Sequence, residues 1–180
     1  MLLKRIRAAD AASVAVIGLA KNAGKTTVLN HLVAECAAAG LSVGLVSVGV
    51  DGEKADAWTG RAKPPVRAPA GTLAAVAAYA LAECRARYTV LERLKATVPF
   101  GDTLLVRLEE AGELKLAGTP TTADVRRAFA RFRAHGAALC LADGAYDRMA
   151  AAAPEVSAGC VLVAGASLHP AMDEVVRRVR

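Results

Sequence analysis

The chain has 180 residues, a formal net charge of +6 with histidine neutral, and 54% hydrophobic against 22% charged residues. That length buries a sizeable core in one ordinary globular domain, and the charge balance excludes a disordered chain. With 42 alanines and 7 aromatic residues the core has to be assembled from Ala, Val and Leu, and 4 cysteines are too few for a disulfide scaffold.

The N-terminus, MLLKRIRAAD followed by AASVAVIGLA, superficially resembles a basic leader with an apolar segment behind it. Asp10 interrupts it, and the apolar part runs straight into a glycine loop, so Ser13 to Leu19 reads as a buried strand and the protein is expected to be cytoplasmic. Thr26 to Ala39 carries Val28, Leu29, Leu32, Val33 and Cys36 on one helical face, with Gly40 as its stop. Ser42 to Val50 is a second apolar strand ending at Asp51-Gly52. Strand, helix, strand in this spacing is a βαβ unit with parallel strands and a right-handed crossover.

Glu53 to Gly71, with Pro64, Pro65 and Pro69, reads as a loop with a short extended piece at Val66. Thr72 to Arg85 is Ala-rich and predicts a helix. It overlaps an uncharged run, the 15 residues between Arg67 and Glu83, which is too short to span a membrane. Tyr88 to Leu94, Thr103 to Leu108 and Glu113 to Leu116 read as extended, with Ala111-Gly112 closing a hairpin between the last two. Thr121 to His135 is a helix capped by Thr121 and Asp124, striped by Val125, Ala128, Phe129 and Phe132, and stopped by Gly136. Ala138 to Ala142 and Cys160 to Ala164 are further buried strands. A last helix starts near Pro170, with Met172, Val175, Val176 and Val179 on one face, and the chain ends inside that pattern, as a truncated protein would. The expectation is one α/β domain over 1–180 with a three-layer P-loop NTPase fold, a mostly parallel central sheet and a small β-hairpin excursion.

Cys36, Cys84, Cys140 and Cys160 are far apart and sit among apolar residues, which predicts buried free thiols and no metal centre. The arginines at 126, 127, 131 and 133 and at 177, 178 and 180 lack any nucleic-acid-binding pattern beside them and read as solvated helix faces.

One motif carries chemistry. Gly18-Leu19-Ala20-Lys21-Asn22-Ala23-Gly24-Lys25-Thr26 fits G-x-x-x-x-G-K-[ST], between a strand and an amphipathic helix. A triphosphate concentrates negative charge, and successive backbone N–H groups with a helix N-terminus behind them can surround it. Gly18 and Gly24 permit the close approach, and Asn22 and Ala23 lie between them. The Lys25 ammonium is expected on the β- and γ-phosphates, the Thr26 hydroxyl on Mg²⁺, and Thr27 near the α-phosphate. Lys21 either touches phosphate or a partner subunit, or is simply exposed.

A P-loop also needs acids at the ends of other strands. Asp143 ends the run Ala138-Leu139-Cys140-Leu141-Ala142, the Walker B pattern, and is expected to bind Mg²⁺ directly or through water. Asp51 ends the strand after the P-loop helix; it either completes the metal shell or positions the attacking water, or is a plain Asp-Gly turn. Glu53 is a weaker candidate. Arg148, after Asp147, either senses the γ-phosphate or forms a surface ion pair. No N-K-x-D sequence is present, which favours ATP over GTP without excluding GTP.

The segments GLAKNAGKTTVLN, SVGVDGE, KPPVRAPAGT, VRLEEAGELKLAGTP, LADGAYDR and VLVAGAS resemble the P-loop ATPase-like subunits encoded with adenosylcobalamin-dependent lysine 5,6-aminomutases. More broadly the chain resembles the P-loop group that includes dethiobiotin synthetases and metal-centre insertion ATPases. Ala20 departs from the lysine that a deviant Walker A motif carries there. The resemblance implies a cytoplasmic reactivating chaperone that works with a second, larger ATPase subunit and a mutase, using ATP binding or hydrolysis to drive exchange of damaged cobalamin. No cobalamin-ligating D-x-H-x-x-G motif occurs in the chain. Two further readings of the same loop stand beside an ATPase switch of low intrinsic turnover: a small-molecule kinase or ATP-dependent ligase of the dethiobiotin-synthetase kind, and a subunit that holds nucleotide without hydrolysing it. A homo-oligomer is compatible with each; nucleic acid and membrane partners are not expected.

Overall fold

In the computed structural model, residues 1–48, 65–94, 101–144 and 149–179 are described. The chain runs α1 (Leu2–Ala8), β1 (Ser13–Gly18), α2 (Lys25–Ala38), β2 (Val43–Ser47), β3 (Val66–Ala68), β4 (Leu73–Ala77), α3 (Ala78–Leu81), β5 (Tyr88–Leu94), β6 (Thr103–Leu108), β7 (Gly112–Leu114), α4 (Thr122–Ala134), β8 (Leu139–Asp143), a 3₁₀ turn (Met149–Ala152), β9 (Gly159–Val163) and α5 (Met172–Val179). Seven strands form one sheet in the order β5-β6-β4-β2-β8-β1-β9. From β4 to β9 every pairing is parallel, whereas β6 is antiparallel to both β4 and β5.

Helices cover both faces, as a mostly parallel sheet requires. Along β1, Val14 and Val16 pack with Leu29, Leu32 and Val33 of α2 and Leu3 and Ile6 of α1. Ala15 and Ile17 point the other way, into a cluster with Val125, Phe129 and Phe132 of α4. Strands buried on both faces explain the unbroken apolar runs of β1, β4 and β8. No helix among the described residues is long and apolar enough to cross a membrane.

Four expectations are corrected. Thr72 to Arg85 is not a helix: Leu73–Ala77 is a central strand between β2 and β6, and only Ala78–Leu81 is helical. Alanine's helix propensity is a weak local preference, and two neighbouring strands outweigh it. The hairpin between the strands at 103–108 and 113–116 does not form. Instead β6 pairs with β4 and β5, and β7 pairs with β3 in a two-stranded antiparallel ribbon, Val66 opposite Leu114. Cys36 and Cys140 are buried, but Cys84 is half-buried and Cys160, on the edge strand β9, is exposed. The stripe on α5 buries none of its residues. Helix α1 was not anticipated; Leu3 and Ile6, one turn apart, tuck under α2, and the Leu3 N–H donates to Glu35 Oε2 at 2.7 Å. This bond, and secondarily His31, holds the Glu35 carboxyl below its ordinary range.

Candidate functional site

The glycine loop lies where the sheet changes direction. From β1 the chain passes through α2 to β2, leaving room for β8 in between; from β8 it continues to β9, on the far side of β1. The carboxyl ends of β1 and β8 therefore lie at a topological switch point, the place where open α/β sheets bind ligands.

Within the loop, Asn22 and Gly24 both adopt positive φ, 57° and 96°. At 96° a side chain would be strained, so Gly24 can reverse the chain into α2 where another residue would resist. Gly24 is also the N-cap of α2; it contributes no side-chain acceptor, and the first turn holds no acid. The helix thus begins with its positive end uncompensated by any carboxylate of its own and with Lys25 as its first residue, a combination that an anion would relieve. The Lys25 stem folds back over β1: a Cβ built on Gly18 would lie 2.9 Å from Lys25 Cγ and 3.1 Å from Cδ. Gly18 is therefore the floor on which the lysine rests. Gly24, Lys25 and Thr26 are half-buried, Ala23 is buried, and Lys21, Asn22 and Thr27 are exposed.

Strand alternation brings a carboxylate to the same side. Leu139 and Leu141 pack in the cluster that contains α2, and Asp143 continues that row at the end of β8. Gly18 continues the row of Val14 and Val16 in the same way. Asp143 pairs in register with Val16 on one side and Ser47 on the other. Its carbonyl accepts the Val48 N–H at 3.0 Å, and the Gly144 N–H donates to Val16 O at 3.0 Å, so the strand end is held from both neighbours. Ser47, following Val43 and Leu45, places a hydroxyl-bearing residue beside Asp143 on that face. Ser47 belongs to no motif of its own; the period-2 run from Val43 to Ser47 puts it on this face, and only the pairing of β2 with β8 sets it beside Asp143. The Thr119 hydroxyl donates to Ser47 O and fixes the end of β2.

The structure thus gathers Gly18, Gly24, Lys25, Thr26 and Asp143 at one sheet edge. Asp51, Glu53, Asp147 and Arg148 lie outside the described residues. Among the described residues no three His, Cys, Asp or Glu side chains come together as a metal cluster. The donors present, a threonine hydroxyl and a carboxylate, are all oxygen, the set that suits a hard cation which keeps waters and takes further oxygens from a phosphate. A separate cavity of about 450 Å³ lies at the opposite sheet edge, between the end of α2 and the starts of β2 and β4, and among the described residues its wall carries no ionisable side chain.

Comparison of the chain with known protein families, with curated proteins and with solved structures gives no match.

Proposed function

We propose that the loop from Gly18 to Thr27 binds the phosphates of a nucleoside triphosphate, ATP in preference to GTP, together with Mg²⁺, and that hydrolysis acts as a conformational switch on a partner protein. The observation that carries this reading is the Lys25 stem laid across Gly18 at the start of a helix whose N-cap is a left-handed glycine. In water an ammonium at a helix N-terminus is unfavourable; with a polyphosphate between them both become attractive.

In this reading the amides of the loop bind the β-phosphate, Lys25 neutralises the β- and γ-oxygens, and Thr27 lies near the α-phosphate. Thr26 and Asp143 would hold Mg²⁺, with Asp51 as a further candidate; the ion would neutralise charge on the β- and γ-phosphates. Ser47 stands beside Asp143 as a second oxygen donor. Asp143 and the residues after it would sense the γ-phosphate and pass the change on. The resemblance to the lysine 5,6-aminomutase-associated subunits extends the reading to a chaperone that works with a second ATPase subunit and a cobalamin-dependent mutase.

The test is calorimetric titration of the chain with ATP and GTP in the presence of Mg²⁺, beside Lys25→Ala. Loss of at least tenfold in affinity, about 1.4 kcal/mol, supports the assignment. Equal affinity in the two proteins overturns it. Phosphate release stimulated by a mutase or a second ATPase subunit distinguishes a switch from transfer to a metabolite and from binding without turnover.

A further inference from the structure

At the carboxyl edge of the sheet β2 outruns one of its neighbours. It pairs with β4 as far as Val46 opposite Ala75, and β4 ends at Ala77, where the chain turns into α3. On its other side β2 stays paired with β8, Ser47 opposite Asp143. The main-chain groups on the β4 side of Ser47 and Val48 therefore need another partner. The connection from β7 to α4 supplies it. Ala117 O accepts the Ala77 N–H at 2.8 Å, so this connection starts across the end of β4, and Thr119 then bridges to Val48 in parallel. The connection thus takes the place of β4 beside β2.

This strap is held closely. A Cβ on Gly118 would lie 2.4 Å from Ala77 Cβ, and its φ of 110° is one that side chains resist. Gly118 O accepts the Thr103 hydroxyl at 2.8 Å. Thr119 is 1% exposed, and its buried hydroxyl donates to Ser47 O. On the far side of β2 the Val48 N–H donates to Asp143 O at 3.0 Å. Across the edge the order is Thr119, then Ser47 with Val48, then Asp143, then Val16. Thr119 thus ties the end of β2 from the side away from Asp143.

We propose that Thr119 is a positioning residue for the metal part of the phosphate site, a role that rests on the Mg-nucleotide reading. A strand end held from one side only frays easily. The Thr119 hydroxyl adds the second tie, and through Ser47 it sets the spacing between the two oxygen-bearing residues, Ser47 and Asp143. That spacing matters most for Mg²⁺, which demands near-ideal octahedral geometry at short range, and much less for Ca²⁺, whose larger shell tolerates irregular donors. Loss of the tie therefore has a signature that loss of stability alone does not share: it discriminates between the two ions.

The experiment is calorimetric titration of the full chain with ATP in Mg²⁺, in Ca²⁺ and in EDTA, for the parent, Thr119→Val and Thr119→Ser. The expected result for Thr119→Val is an affinity lower by roughly fivefold in Mg²⁺, about the worth of one hydrogen bond, with parent affinity in Ca²⁺ and in EDTA. Thr119→Ser, which keeps the donor, restores the Mg²⁺ value. Circular dichroism checks the fold; should the valine variant melt, Thr119→Cys, with its weak S–H donor, carries the same comparison. Unchanged Mg²⁺ affinity overturns the proposal. So does an equal loss in all three conditions, which is a structural role alone, or a serine variant that fails to restore binding. These outcomes leave the loop assignment standing, because Lys25→Ala reads it separately; a parent chain that binds no nucleotide overturns both.

Discussion

Gly18 is the residue on which the geometry of the loop turns. Its missing Cβ is the space the Lys25 stem occupies, so Gly18→Ala places a methyl 2.9 Å from Lys25 Cγ. The lysine is flexible and moves aside; the strand is buried and does not. The expected outcome is a weaker Mg-nucleotide complex, by several-fold in calorimetric titration, with a melting temperature within a few degrees of the parent. A large loss of stability with unchanged affinity would contradict that account. Asp143→Asn makes a separate prediction: nucleotide binding persists while its dependence on Mg²⁺ falls, read as a smaller ratio of affinities with and without the ion. The G-x-x-x-x-G-K-T spacing was legible in the sequence because every residue of the motif is local. Ser47 was not, because its claim to the site comes from a neighbour in another strand.

At the scale of elements, α4 illustrates both what local sequence encodes and how an element is fastened to the sheet. Thr121 Oγ1 accepts the Asp124 N–H at 3.1 Å and donates to Asp124 Oδ2 at 2.7 Å, a reciprocal cap. Thr121→Ala should cost about 1 kcal/mol, measured by urea unfolding. At its other end α4 grips the edge strand β5: Arg131 Nε donates to Glu92 Oε2 at 2.8 Å, and His135 Nε2 lies 2.6 Å from Glu92 Oε1. The hydrogen bonds from Arg131, and then from His135, hold the Glu92 carboxyl down at about 2 against an ordinary 4.5. A carboxylate that ionises more easily in the folded state stabilises it fully above pH 4.5 and loses that contribution as the pH falls towards 2. Glu92→Gln should therefore flatten the acid limb of stability between those values while changing little of its slope at higher pH. Thermal melts at closely spaced pH check this; an acid limb of unchanged steepness would assign it to other carboxylates. The cap could be read from Thr121 and Asp124 alone, whereas the Glu92 clamp joins residues distant in sequence and depends on β5 lying beside β6.

For the whole molecule the governing fact is burial on two faces. Phe132 is fully buried on the α4 side, and its ring lies where a Cβ on Gly44 would sit, 2.4 Å away. Phe132→Ala should cost about 3–5 kcal/mol, and Gly44→Ala should destabilise by forcing that ring out of place; combined, they should cost less than the sum, because the alanine at 132 vacates the space the new methyl needs. Additive costs in denaturant unfolding would show that the two residues do not compete for one volume.

The same burial explains where the boundary fell between what could be read and what could not. The sequence by itself determined the βαβ start, the glycine loop, the Walker B-like run to Asp143 and the capped helix before it, because each is written in neighbouring residues: apolar runs, a period of 3.6, a cap, a turn. Only the tertiary structure decided that Leu73–Ala77 is a central strand, that β7 leaves β6 for β3, that Ser47 stands beside Asp143, and that β9 is the last strand of the sheet beside β1. An alanine-rich segment carries little information of its own, and which strand it meets depends on hydrogen-bonding groups and apolar faces brought from far along the chain.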